Sequence, residues 1–481
     1  MQPEGNILSY LAFFIWVPIV LWGAHRWPPA KAAGWLLVLP LMFLPELMFF
    51  KPPGLPEFAK DRIAILWLFI GVVLFHRDRL RSVRLGRWPK LAILLLLGGP
   101  VLTVFLNSDS ISQGAAHLPP HVPYDAVHAL VQNTLDYVLP FALGVAMFTS
   151  SKDLRVLFRV LVGGGLIYSV FQLIELRMSP QLHIWLYGFF HHSFGQTVRG
   201  GGYRPTVFME NGLAVAMFTL VAILAAAGLY KVKARVFRVP AGWALAYLWL
   251  ILSLSKSAGA FLYSLVAVPL ILFVSPKTQF RVATILAVIV LAYPFARGAG
   301  LVPVDHIQEW VATEYGDERV DSIMTRFVNE ERLLERANER YFFGWGWYGR
   351  AYHYDPDFGS AVSIRDGDWI ITFGDFGLVG FLGKYLLLLL PLFISARRLK
   401  RVRKESDRRL LAALALIIGV SAFDLLPNGN FNYLVFVFSG ALLSCSAGIV
   451  RYEAQRRRLK RESASRPGSI DQLPEAAAPL T

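Results

Sequence analysis

Residues 369–409 read WIITFGDFGLVGFLGKYLLLLLPLFISARRLKRVRKESDRR. The first part, 369–395, is a nearly unbroken apolar run. It ends in a cluster of Arg397, Arg398, Lys400, Arg401, Arg403, Lys404, Arg408 and Arg409. A bilayer core takes roughly 20 apolar residues in a helix to cross. Backbone groups in lipid must be satisfied internally, so such a run is a helix. Basic residues directly beside it mark the cytoplasmic face. This stretch therefore gives both the class of the fold and the direction of the chain.

Working outward, the same grammar recurs. Apolar blocks fall at about 7–23, 33–50, 62–76, 90–106, 127–148, 154–176, 206–229, 237–254, 257–275, 280–297, 369–395, 408–426 and 431–450. The expected fold is an all-α polytopic membrane protein with about 12–14 transmembrane helices, because the third block is short and the eighth and ninth nearly fuse. Hydrophobic residues make up 55% of the 481 and charged residues only 17%, which excludes a free soluble enzyme. The start, MQPEGN, lacks the basic region of a secretory signal, so the first block is expected to stay in the mature protein. The lone Cys445 lies in an apolar block and excludes an intramolecular disulfide framework.

A net charge of +15 raises the question of nucleic acid. Its distribution answers it. Arg77, Arg79, Arg81, Arg84, Arg87 and Lys90 fill one short loop, and Lys231, Lys233, Arg235 and Arg238 another. The tail from Arg451 to Arg466 is basic again. All lie beside apolar blocks, the pattern of topology rather than of nucleic-acid binding. With these loops inside, residues 107–126, 177–205 and 298–368 fall outside. Lys51, Lys60 and Arg62 in an outer loop fit this alternation less well. The chain divides into N-terminal passages (1–297), a large outer loop (298–368), C-terminal passages (369–450) and a tail (451–481). Past about residue 460 the tail is polar, Pro/Ala/Ser-rich and expected to be disordered.

An outer loop of about 70 residues is too long for a mere connection. Its middle, 319–341, has the helical period, with Val320, Ile323, Met324, Phe327, Leu334, Ala337 and Tyr341 on one side. Arg332, Arg336 and Arg340 fall opposite, among Glu331, Glu335 and Glu339, as a solvated face. Arg326 sits at the border of the apolar stripe, suited to point inward or to snorkel at a rim. Then comes FFGWGWYGRAYHYDPDFGSAVSIRDGDWII. Its glycines and aromatics suit an interfacial turn or the stacking of sugar rings. Asp366 and Asp368 stand at the mouth of the next passage, where a carboxylate is costly and by default functional.

The earlier outer loop ends RGGGYRPTVFMENG. Arg199 and Arg204 flank a glycine run, and Glu210 and Asn211 follow. Glycine allows close backbone approach, and arginine binds phosphate bidentately. The phosphate-loop pattern GxxxxGK[ST] is absent. Lys256, in SLSKSAGA, is a lone cation between two apolar blocks, suited to the same site or to anchoring a helix end on lipid phosphate. His191–His192 and His353 lack the spacing of a metal site. Cations from three segments and a pair of carboxylates thus reach one face. Cations there would stabilise a leaving pyrophosphate, and a carboxylate would serve as general base toward an incoming hydroxyl.

In this order and topology the motifs resemble the superfamily of bacterial O-antigen ligases and polymerases, over roughly residues 195–445. RPTVFMENGLA carries the arginine ahead of an Asn-containing helix start. SKSAGA occupies the Ser-Arg-Gly-Ala-like step, with Lys256 for arginine. Arg326 and GWGWYG match the loop arginine and Gly-x-Gly turn, and RDGDWIITFGDFGLVGF matches the entry to the next helix. Ligases usually have a histidine, often as His-Asn, where this chain has Asp366-Gly367-Asp368.

The resemblance implies a C-type glycosyltransferase-like helical bundle in the bacterial inner membrane, with its active site facing the periplasm and needing neither metal nor cofactor. The implied substrate is an oligosaccharide on undecaprenyl pyrophosphate, joined into a surface polysaccharide. A chain-length regulator or envelope export complex is an implied partner, and nucleic acid is not. Asp368, ahead of Asp366, is the expected base. Arg204, Arg326, Lys256 and Arg199 would bind the pyrophosphate, with Glu210 and His353 as secondary candidates. A ligase acting on a lipid A–core acceptor is the alternative within the family. A transporter of lipid-linked saccharide is the alternative outside it.

Overall fold

The computed structural model of the chain describes residues 4–53, 55–199, 201–303, 317–429 and 432–464. These are mostly helical, and the strands among them form only short two-stranded hairpins in loops, with no closed sheet. Among the described residues, eight helices are long and apolar enough to cross a membrane: Ile7–Arg26, Arg87–Phe105, Pro123–Met147, Ser151–Met178, Gly212–Lys231, Pro276–Gly298, Asp368–Leu399 and Leu434–Leu459. The remaining expected blocks are helical too. Pro29–Phe43, Lys60–Phe75, Ala241–Leu254 and Ala258–Phe273 have 14 to 16 residues. At about 1.5 Å per residue they fall short of the roughly 30 Å core. Glu405–Asp424 is long enough but carries charges at both ends.

Gly212–Lys231 is apolar on every side, and a helix of that kind must be enclosed by others. It packs against Ser151–Met178, Ala241–Leu254, Ala258–Phe273 and Glu405–Asp424, and most of its side chains are buried. Leu434–Ala464 lies against Leu139–Met147 at close range. A Cβ on Gly144 or Gly440 would overlap the other helix's backbone, at Val437 and Phe141 respectively. Small residues at such contacts let helices approach where no hydrophobic force drives them together.

The two ends of the bundle differ as the charge pattern implies. Arg79, Arg84, Arg398, Arg401 and Arg451 converge at one end. At the other, Arg340 and Arg350 reach Asp109 at 3.2 and 3.3 Å, joining the 107–126 loop to the 298–368 loop. The 188–211 segment meets Arg326 and Asp366 there as well. Lys51, Lys60 and Arg62, the cations out of pattern, are each neutralised: Lys51 by Glu57 at 3.0 Å, Lys60 by Glu46, and Arg62 by Asp136 at 2.7 Å.

Residues 369–395 do not form one straight span. Inside Asp368–Leu399 the backbone leaves helical geometry at Gly377 (φ 63°, ψ −165°). Asp368 and Lys384 touch across that break, so the two arms lie beside each other. The GWGW turn splints the break. Trp345 and Gly346 N–H donate to the Gly374 and Asp375 carbonyls at 2.9 and 2.8 Å. Leu378 and Val379 N–H donate to Tyr341 and Phe342 at 2.8 and 3.0 Å. Backbone groups freed by a broken membrane helix need such partners. Gly344 approaches so closely that a Cβ would lie 2.6 Å from the Asp375 backbone.

The loop helix spans Asp317–Asn338, and Leu333, Leu334 and Ala337 are buried on it. The side chains of Val320 and Ile323 lie outside the described residues. The expected solvated arginine face needs correction. Arg332 is exposed, but Arg336 is only 9% exposed, stacked 3.5 Å from the Trp345 ring and paired with Glu339 at 2.5 Å. The GWGW turn covers that side of the helix, a neighbour that helical periodicity cannot register. The basic start of the tail is also helical, since the last helix runs Leu434–Ala464. Residues 465–481, expected to be disordered, lie outside the described residues.

Candidate functional site

The outer segments enclose a cavity of about 560 Å³. Arg199, Arg204, Arg326 and Arg365 line it, with Asp366, Glu210 and His192. Three of the four expected cations and the carboxylate Asp366 therefore meet, although they come from three distant parts of the chain.

Local structure fixes each of them. Arg199 stands on a hairpin, Val198–Arg199 paired with Gly202–Tyr203, that turns through Gly201 at φ 72°. Arg204 follows, its backbone N–H donating to Thr197 O at 2.8 Å and its guanidinium to Ser257 Oγ at 2.9 Å. Its side chain lies against Gly212, where a Cβ would fall 2.6 Å from Arg204 Cδ. Arg204 Nε is buried without a hydrogen-bond partner. Burial, and then the charge of Arg199, push its pKa down to about 10. Asn211 caps the helix Gly212–Lys231 by accepting from Leu213 and Ala214 N–H at 2.9 and 3.0 Å. The positive end of that helix thus faces the cavity.

Arg326 and Asp366 form a half-exposed pair at 3.5 Å. Asp366 is held by the docking of Asp368 N–H on Leu425 O at 3.0 Å, and Gly367 is too close to Leu426 for any larger residue. Arg365 donates to Asp375 at 2.5 Å and stacks on Tyr352 at 4.4 Å. Burial acts to lower its pKa, but Asp375 and Tyr352 hold it above the ordinary value. Arg365 is thus neutralised from behind, whereas among the described residues Arg204 and Arg199 have no carboxylate partner. His192 is held below its usual pKa by burial and then Arg204, so it is neutral at pH 7.

A second, mostly apolar chamber of about 390 Å³ shares Arg326, Asp366 and Pro427 with the first. Ile289, Phe327, Ile370 and Phe423 are among its walls. Glu210 also lines a smaller interior cavity, together with Glu46, Lys60, Asp61 and Asp424.

Three sequence candidates lie elsewhere. Asp368 is buried, its two oxygens accepting from Lys384 Nζ at 2.7 Å and Tyr385 Oη at 2.6 Å, so it does not reach the cavity. Lys256 donates to Arg199 O at 2.9 Å and braces the hairpin from behind, with its own backbone at φ 54°. His353 pins the loop by its ring contact with Arg332 O at 2.6 Å. Arg365 and His192 were not among the sequence candidates. RDGD was legible as polar, but which of its charges meets the cavity depends on the helix break. Among the described residues, no three His, Cys, Asp or Glu side chains converge as a metal site requires.

No protein-family model matches the chain, and no curated protein matches it in sequence.

Proposed function

We propose that this protein is a membrane glycosyltransferase that joins undecaprenyl-pyrophosphate-linked oligosaccharide repeats into a surface polysaccharide at the periplasmic face of the bacterial inner membrane. One observation carries the reading. An arginine-lined cavity with Asp366 at its wall adjoins an apolar chamber across Arg326, Asp366 and Pro427, at the end of the bundle opposite the basic loops. That pairing suits a ligand whose pyrophosphate and prenyl chain are joined. Arg199, Arg204 and Arg326 take the pyrophosphate, which gathers charge as the sugar leaves. Asp366 accepts the proton of the incoming hydroxyl. That oxygen bonds to the anomeric carbon, and the bond from that carbon to the pyrophosphate oxygen breaks. The carrier departs as undecaprenyl pyrophosphate.

In this reading the base is Asp366 rather than Asp368, because Asp366 lines the cavity beside Arg326 while Asp368 is buried against Lys384 and Tyr385. The chain-length distribution of surface glycan in a deletion strain tests the proposal. Loss of polymer with single repeats retained supports a polymerase. Polymer accumulating on the lipid carrier points to a ligase. Repeats trapped in the cytoplasmic leaflet point to a transporter.

A further inference from the structure

Another cavity lies at the other end of the bundle, away from the proposed transfer site. It measures about 590 Å³, and five arginines line it: Arg79, Arg84, Arg398, Arg401 and Arg451. They come from the loop before Arg87–Phe105, from the C-terminal end of Asp368–Leu399 and its following turn, and from the last helix. Among the described residues, no carboxylate lines it. Of the acids nearby in sequence, Glu453 accepts from Arg403 and Lys404 N–H, Asp407 from Ser151, and Asp153 caps Thr149 and Ser150, while the exposed Asp78 is not part of the lining.

Two of the arginines are fixed in place. Arg79 donates to Thr149 Oγ1 at 2.8 Å, and Arg398 to Leu443 O and Ser446 Oγ at 2.8 and 3.1 Å. Arg84, Arg401 and Arg451 are exposed and, among the described residues, make no side-chain hydrogen bond or ion pair. Like charges gathered in this way repel unless an anion joins them. Val145, Ile394 and Leu443 give the cavity an apolar wall, and Trp88, half exposed, stands at its edge where interfacial tryptophans sit.

We propose that this cavity binds the headgroup of an acidic membrane phospholipid carrying two phosphates, with its acyl chains along the apolar wall. Basic pockets between membrane helices on the cytoplasmic side are suited to such headgroups. Several guanidiniums exceed what one phosphate can engage, and the apolar wall favours a lipid over a soluble anion. The inference does not depend on the glycosyl-transfer reading.

The test titrates the purified full chain in neutral detergent with diphosphatidylglycerol, phosphatidylcholine or inorganic pyrophosphate, and follows thermal stabilisation. Diphosphatidylglycerol should stabilise the protein and phosphatidylcholine should not. Each arginine removed should weaken the apparent affinity by about fivefold. The triple variant R84Q/R401Q/R451Q should therefore lose about 100-fold. The control R77Q/R235Q/R238Q removes the same charge from outside the cavity and should change affinity less than about twofold. Equal losses in the two triples would mean diffuse attraction and no site. Protection by pyrophosphate as strong as by the lipid would make the ligand a soluble anion and overturn the proposal.

Discussion

Asp368 and Lys384, sixteen positions apart within one helical segment, are ion-paired at 2.7 Å. A straight helix would hold them about 24 Å apart. Their meeting is the consequence of the break at Gly377, and both side chains are buried with Tyr385 closing the pair. Asp366, two residues earlier, stays on the cavity with Arg326. The two carboxylates should therefore fail differently. Asp368→Asn leaves the buried Lys384 ammonium without its carboxylate and should cost about 3–5 kcal/mol, seen as a lowered melting temperature in detergent. Asp366→Asn should change stability by less than about 1 kcal/mol, yet slow polymer formation roughly 10²–10⁴-fold. Wild-type polymer from Asp366→Asn would remove it as the base and bring Glu210 and His192 forward.

The orientation of the bundle is open to direct chemistry. In a Cys445→Ser background, Ser193→Cys on the cavity-side loop should react with an impermeant thiol reagent once the outer membrane is permeabilised. Ser82→Cys in the basic loop should react only after the inner membrane is opened. Both positions are exposed in the fold. The reverse pattern would turn the cavity toward the cytoplasm.

The bundle was legible because hydropathy is a property of each block alone, and every expected block is helical. The cations of the cavity were legible for a related reason: Arg199, Arg204 and Arg326 stand at polar–apolar boundaries that the sequence displays. What stayed hidden depended on contacts between distant segments. Nothing near RDGD reveals that Lys384 folds back to claim Asp368. Nothing in the loop helix reveals that Trp345 will lie on Arg336. The charge of Lys256 is visible in the sequence and suggests a phosphate, in the site or in lipid, while the carbonyl of Arg199 that receives it is not visible.

Arg336 and Arg332 give a contrast that helical periodicity alone would predict wrongly. Arg336→Ala removes a stacked, largely buried cation–π contact, of about 1–2 kcal/mol, together with its bond to Arg350 O at 3.3 Å. Trypsin should then cut the loop faster. Arg332→Ala should leave the digestion rate unchanged, since that side chain is exposed. Equal rates in the two variants would show that the Arg336 contact does not hold the loop.

The segment that leads to Arg199 should be sensitive to acid. His183 accepts from Glu46 N–H at 3.2 Å and contacts Phe189 O at 2.9 Å, so its ring must be neutral. His191 lies 4.3 Å away, ring to ring. Burial, opposed by the Phe189 carbonyl for His183 and reinforced by His183 for His191, lowers their pKa values to about 4 and about 3. Lys60 disfavours charge on both, and His192 on the second. Unfolded, both titrate near 6.5. The unfolded chain then binds more protons between these values, so stability is full above pH 6.5 and falls as the pH drops. The loss should reach about 2 kcal/mol per histidine by pH 5. His183→Gln should flatten the dependence of melting temperature on pH, and an unchanged slope would exclude this histidine.

Arg204 is held in the fold at a cost. Its pKa is pushed down to about 10, its Nε has no acceptor, and among the described residues no carboxylate pairs with it. A group built this way stabilises the protein only when an anion is bound. Arg204→Met keeps the aliphatic stem against Gly212 and removes the desolvated charge. In the absence of substrate it should raise stability by about 1 kcal/mol, the lower end of what an unsatisfied buried donor costs. The same variant should make no polymer. Arg204→Lys should recover little activity, because a single ammonium cannot replace the planar fork. Functional sites commonly trade stability for activity in this direction. A variant that both melts earlier and retains polymer would show that Arg204 is a structural brace for Ser257, and the pyrophosphate would have to be held by Arg199 and Arg326 without it.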